Sequence, residues 1–163
     1  MREYATQMEA AKKGIVTPEM EAVAAKEYRT PEEIRQWVAE GRGAICANRL
    51  HKCLDPNGVG SMLRTKINVN LGVSRDCKDY NVEMQKVMAA VEMGAEAIMD
   101  LSSHGDTQPF RRKLTAECPA MIGTVPIYDS VIHYQRDLAT LTARDFIEVI
   151  RLHAQDGVDF VTL

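Results

Sequence analysis

The chain has 163 residues, 45% of them hydrophobic and 26% charged, with 20 Lys and Arg against 23 Asp and Glu and a net charge of −3. That composition supports a globular core, excludes disordered and fibrous classes, and lacks the basic patch that a nucleic-acid partner requires. With no apolar run near the roughly 18 residues of a membrane span, and a charged helical start rather than a signal peptide, no membrane partner is expected and the cytoplasm is the expected compartment.

Residues 1–43 read as a helical leader, in which Thr17-Pro18-Glu19 and Thr30-Pro31-Glu32-Glu33 each place a Thr cap before a first-turn Pro and acidic residues. Residues 44–61 hold Asp-Pro-Asn-Gly and Gly-Val-Gly, which is turn chemistry, and are expected as a loop or lid. From residue 62 to residue 163, β-prone runs alternate with helical ones. The first run, residues 65–71, precedes a helix marked by Met84, Val87, Met88 and Val91 and ended by Gly94. Residues 97–101 lead to a helix over 108–117, and residues 120–126 to one near Ser130. Thr142 and Asp145 then cap a helix with Ala143, Phe146, Ile147, Ile150 and Ala154 on one side, closed by Gly157 before a run over 158–163. Met8, Met20, Met84 and Met88 read as helix packing.

Strands alternating with helices of this length predict βα units and a parallel sheet. No Gly-x-Gly-x-x-Gly or Walker loop follows a strand, so a barrel is favoured over a nucleotide-binding open sheet. At 163 residues the chain falls short of the roughly 250 of a full barrel. The predicted fold is therefore α/β, the first four units of a (β/α)8 barrel behind a helical leader.

Barrel sites lie at the C-terminal ends of the strands. Asn70, Met99 and Tyr128 stand there, 29 residues apart, which predicts a shared depth at the rim. Asn68 and Asn70 alternate onto one face, where a buried amide needs a partner in a ligand or the backbone. Met99 is either core or a thioether against a flat ring, and Tyr128 either orients a substrate or anchors a loop. Asp100, Ser102, Ser103, His104, Gly105 and Asp106 form a polar turn that caps a helix or, against the charge of its two aspartates, holds a phosphate. Arg111, Arg112 and Lys113 read as a solvated helix face. Cys46, Cys53, Cys77 and Cys118 match no metal-ligand spacing and read as reduced, partly buried thiols; His51-x-Cys53 is a weak metal signal.

Five segments carry a resemblance: residues 6–20, TQMEAAKKGIVTPEM; Lys66-Ile-Asn-Val-Asn-Leu-Gly72; Met99-Asp-Leu-Ser102; Ile122-Gly-Thr-Val-Pro-Ile-Tyr128; and Gly157-Val-Asp-Phe-Val-Thr162. They resemble, in order and over nearly the whole chain, the N-terminal part of the radical S-adenosylmethionine enzymes that rearrange 5-aminoimidazole ribotide, the phosphomethylpyrimidine synthase family. The resemblance implies that Asn70, Met99 and Tyr128 contact the ribotide; it names no catalytic residue here. It also implies, in the full-length family, a [4Fe-4S] cluster held by Cys-x-x-Cys-x4-Cys, S-adenosylmethionine, and zinc on two histidines, with none of these ligands in this chain. On that reading the chain is the substrate-binding half of a radical lyase, inactive alone and homodimeric when full length. Asn68-Val-Asn-Leu-Gly-Val-Ser74, Asp100-Leu-Ser-Ser-His-Gly105 and Tyr128-Asp129 depart from the thiamin pattern toward 5-hydroxybenzimidazole synthesis for cobamides. The alternatives are the thiamin pyrimidine itself and, in another class, a non-catalytic ribotide-binding remnant.

Overall fold

The structure is a computed structural model that describes residues 3–163. It divides into two compact units: the first runs through Ala47 and resumes over Asp55–Lys66, and the second is Asn48–Leu54 with Ile67–Leu163.

The first unit holds α1 (Gln7–Lys12), α2 (Pro18–Glu27), α3 (Pro31–Ala39), β1 (Gly43–Ile45) and β2 (Gly58–Gly60). Thr6, Thr17 and Thr30 cap the helices, each hydroxyl accepting the backbone N–H three residues on, and Thr30 closes a capping box with Glu33. Ala11, Met20, Val23, Ala24, Ile34, Val38 and Ile45 form its core. Glu27 is buried there, accepting from the Arg64 N–H at 2.8 Å and pairing with Lys66. The stretch 44–61, expected as a loop or lid, contains part of an antiparallel ladder in which Gly43 faces Gly60. Three-residue strands bounded by glycines carry no alternating pattern to read.

The second unit is built on four parallel strands in chain order: β3 (Asn68–Leu71), β4 (Ala97–Asp100), β5 (Met121–Thr124) and β6 (Phe160–Val161). Between and after them come α4 (Tyr80–Glu92), α5 (Gln108–Glu117), α6 (Pro126–Tyr134), a short 3-10 turn (Leu138–Thr140) and α7 (Ala143–Gln155). The alternation read from the sequence is present, with sharper borders. β5 stops at Thr124 rather than Pro126, because the fixed φ of Pro126 opens α6 four residues before Ser130.

Leu71, Ile98 and Ile122 face Met84, Val87, Phe110 and Leu114 in one core, where the Phe110 and Tyr80 rings stack at 5.0 Å. Two predicted helix faces are corrected. Met88 is 46% exposed while Met84 and Val87 are buried. On α7, Ala143, Ile147 and Ala154 face solvent and the buried pair is Val149 and His153. A polar residue claims that inner position because its ring is hydrogen-bonded on both nitrogens.

Candidate functional site

Parallel register sets Asn70 beside Met99, Met99 beside Gly123, and Gly123 beside Phe160. Neighbours in one row share a face, and alternation puts this face opposite the fully buried Ile98 and Ile122. It is open at one end: Asn68 and Asn70 are exposed, Met99 and Phe160 half-buried. The expectation of buried amides is therefore corrected, since Asn68 Nδ2 donates to Asn70 Oδ1 at 2.9 Å and both keep donors and acceptors free for a ligand. A surface groove of about 470 Å³ over α4, lined in part by Met84, Met88 and Lys113, lies on the helix side of the sheet, away from this row.

Tyr128 does not share the depth of Asn70 and Met99. The residue beside Met99 on β5 is Gly123, and Tyr128 lies five residues further, in the first turn of α6, 47% exposed and with its N–H bonded to the Val125 carbonyl. The equal spacing holds from β3 to β4 and fails at β5, because the second βα unit is shorter between equivalent strand positions.

Two arrangements hold the loops at this end of the sheet. Asp100 Oδ1 accepts from the backbone N–H and hydroxyl of Ser102, and the same Ser102 oxygen accepts from the Val73 N–H, so the β4 turn carries the β3 loop. Asp100 and Ser102 are buried and committed to each other, and burial pushes the Asp100 carboxyl up. The phosphate reading of this turn has no support there. Around Asp129, next to Tyr128, Thr107 donates to Oδ1 at 2.6 Å, while Arg111 and His153 reach Oδ2 at 3.3 and 2.9 Å. His153 also meets the Thr124 hydroxyl at 2.8 Å. Burial alone would raise the Asp129 carboxyl, but the His153 and Thr107 hydrogen bonds and the Arg111 charge hold it low. Arg111, expected on a solvated face, is 3% exposed and also binds Asp156. Only its two carboxylate partners make that burial tolerable.

Comparison with protein families matches residues 6–163 to the Radical SAM ThiC family. The chain belongs to this family. Among its relatives, phosphomethylpyrimidine synthases of Alkaliphilus metalliredigens, Pelotomaculum thermopropionicum and Clostridioides difficile are 58%, 56% and 54% identical over 160 residues, which is 98% of this chain and 37% of each relative. The chain thus spans little more than a third of the length of these curated relatives. Their name supports the thiamin-pyrimidine alternative, and the 5-hydroxybenzimidazole branch finds no support among them.

The radical chemistry of the ThiC family needs a metal cluster, and the described residues of this chain do not fit one. Among the described residues no group of three His, Cys, Asp or Glu stands together as a metal could require. Cys53 and Cys77 are exposed, Cys46 is intermediate, and Cys118 is buried with its thiol pushed up to about 11 by that burial. The weak His51-x-Cys53 signal is resolved as structure: His51 Nδ1 meets Asp159 Oδ2 at 2.7 Å and Nε2 the Cys118 carbonyl at 2.7 Å, leaving no nitrogen for a metal.

The sequence reading missed Phe160 and Asp129. An isolated Gly in the Ile122-Gly-Thr124 strand signals a close approach from above, which could have pointed to Phe160. Nothing periodic marks Asp129.

Proposed function

We propose that this chain supplies the substrate-gripping strands of a phosphomethylpyrimidine synthase and that its four βα units form part of a β/α barrel. The observation that carries the reading is 54–58% identity, over 98% of this chain, to enzymes of that name. The substrate is 5-aminoimidazole ribotide. Asn70 hydrogen-bonds it from the open face, Met99 lays its thioether against the imidazole, and Tyr128 orients it from the start of α6. The clamp on Asp129 holds that helix turn, so it sets where the phenol stands. S-adenosylmethionine and an iron–sulfur cluster, implied by the family, supply the radical chemistry from residues other than these, and zinc belongs to the same proposal.

The test is an anaerobic assay of the protein as its source cell makes it, with ribotide, S-adenosylmethionine and a reductant. The expected product is the pyrimidine phosphate; a hydroxybenzimidazole, or no ribotide turnover, overturns the reading. Within that assay, Asn70→Ala and Tyr128→Phe should each raise KM roughly tenfold, the scale of one lost polar contact. Unchanged KM in both variants would remove these residues from the site.

A further inference from the structure

We propose that Phe160 is a specificity-determining residue of the ribotide site, its ring forming the aromatic floor on which the flat aminoimidazole lies; this rests on the reading given under Proposed function. Two observations carry it. First, Phe160 stands in the row of Asn70, Met99 and Gly123, on the face of the sheet opposite the helices. Second, a Cβ on Gly123 would collide with the outer edge of the Phe160 ring, so the ring reaches across β5 toward Met99 instead of standing away from the sheet. Glycine between the β-branched Ile122 and Thr124 is a poor strand former, and its presence is accounted for by this approach.

Phe160 lies over Gly123, next to Met99 in the row and on the same face as the Asn68 and Asn70 amides. A flat, nitrogen-bearing heterocycle with hydrogen-bonding substituents suits that set: its edge meets the amides, while its face meets sulfur and ring. Gly123 lets the ring lie low on the sheet.

The experiment measures equilibrium binding of 5-aminoimidazole ribotide to the full chain and its variants, with thermal unfolding recorded alongside. Phe160→Tyr keeps the ring and should bind within about threefold of the parent. Phe160→Leu covers Gly123 with a similar apolar volume but has no π face, and should bind about tenfold more weakly at a similar Tm, the low end of one base–aromatic stack. Should Phe160→Leu fail to fold, Phe160→Trp reports instead, since Trp37 is the only other tryptophan: ribotide should quench the added emission. If the parent binds ribotide while Phe160→Leu binds equally well, or the Phe160→Trp emission ignores bound ligand, this inference alone is overturned. A parent chain that does not bind ribotide overturns the functional reading and this inference with it.

Discussion

Gly72 follows the last residue of β3, two positions beyond Asn70, at φ +139°. A Cβ there would sit 2.5 Å from the Ser102 backbone nitrogen and 2.9 Å from the Leu101 carbonyl carbon, where the β3 and β4 loops cross. Its N–H donates to the buried Glu83 carboxylate at 2.9 Å. Burial alone would raise that carboxyl, but Lys86 and the Gly72 N–H hold it low, so the contact is made at neutral pH. Gly72→Ala should therefore lower unfolding free energy by about 3 kcal/mol, combining backbone strain and steric clash. Urea unfolding checks this, and an equally stable variant would mean that the two loops do not cross as described. The residue scale is also where the sequence was most and least readable. Asn70 and Met99 are neighbours because parallel register converts their spacing into adjacency. Tyr128 breaks the rule because loop lengths, not strand order, set the spacing of each unit.

Helix starts were legible because a Thr cap, a first-turn proline and an acidic third residue act locally and need no tertiary partner. The inner face of α7 was not, since hydrophobic periodicity has no means of announcing that His153 is buried. That histidine is admitted by Asp129, and Asp129 in turn by Thr107 and Arg111, residues from three helices that meet only in the folded unit. Removing Asp129 leaves a buried guanidinium with one of its two carboxylate partners and deprives His153 of its acceptor. Asp129→Ala should cost about 3 kcal/mol, the lower range for breaking a buried pair. The pH dependence has a definite sign. A carboxyl held below its ordinary value contributes stability that is present above the unfolded value of 3.8 and is lost as pH falls through the folded one. Urea midpoints of the parent should thus drop on acidification, and Asp129→Asn, which no longer titrates, should show a shallower drop. A parallel acid limb in both proteins would show that the Asp129 charge is not what holds α6.

At the scale of the molecule, strand order was legible because four strands alternate with helices in sequence, and such units add neighbours in chain order. The division of the chain was not, because residues 48–54 leave the first unit's sequence to join the second through single side chains with no periodic signature. Asp159 is the anchor: its Oδ1 accepts from the Asn48 N–H, and its Oδ2 accepts from the Ile122 N–H and meets His51. Both His51 ring nitrogens face oxygen acceptors at 2.7 Å, the Asp159 carboxylate and the Cys118 carbonyl, which only an imidazolium satisfies by donating from each. Burial alone would lower the His51 pKa, but the Asp159 hydrogen bond and charge, helped by the Cys118 carbonyl, raise it above 6.5. A group raised on folding contributes stability that is complete below its unfolded value and fades as pH climbs through the folded one. The 48–54 segment should therefore loosen on the alkaline side. Amide exchange at Asn48 and Ile122, whose N–H groups both end on Asp159, should quicken with rising pH beyond the intrinsic increase. His51→Gln should exchange faster at pH values below the His51 transition, by an opening free energy about 2 kcal/mol smaller, the scale of a charge-assisted hydrogen bond. It should show no further pH-dependent loss of protection. Parent protection that stays constant across the same range would mean that His51 sits there neutral and that the anchor does not depend on its charge.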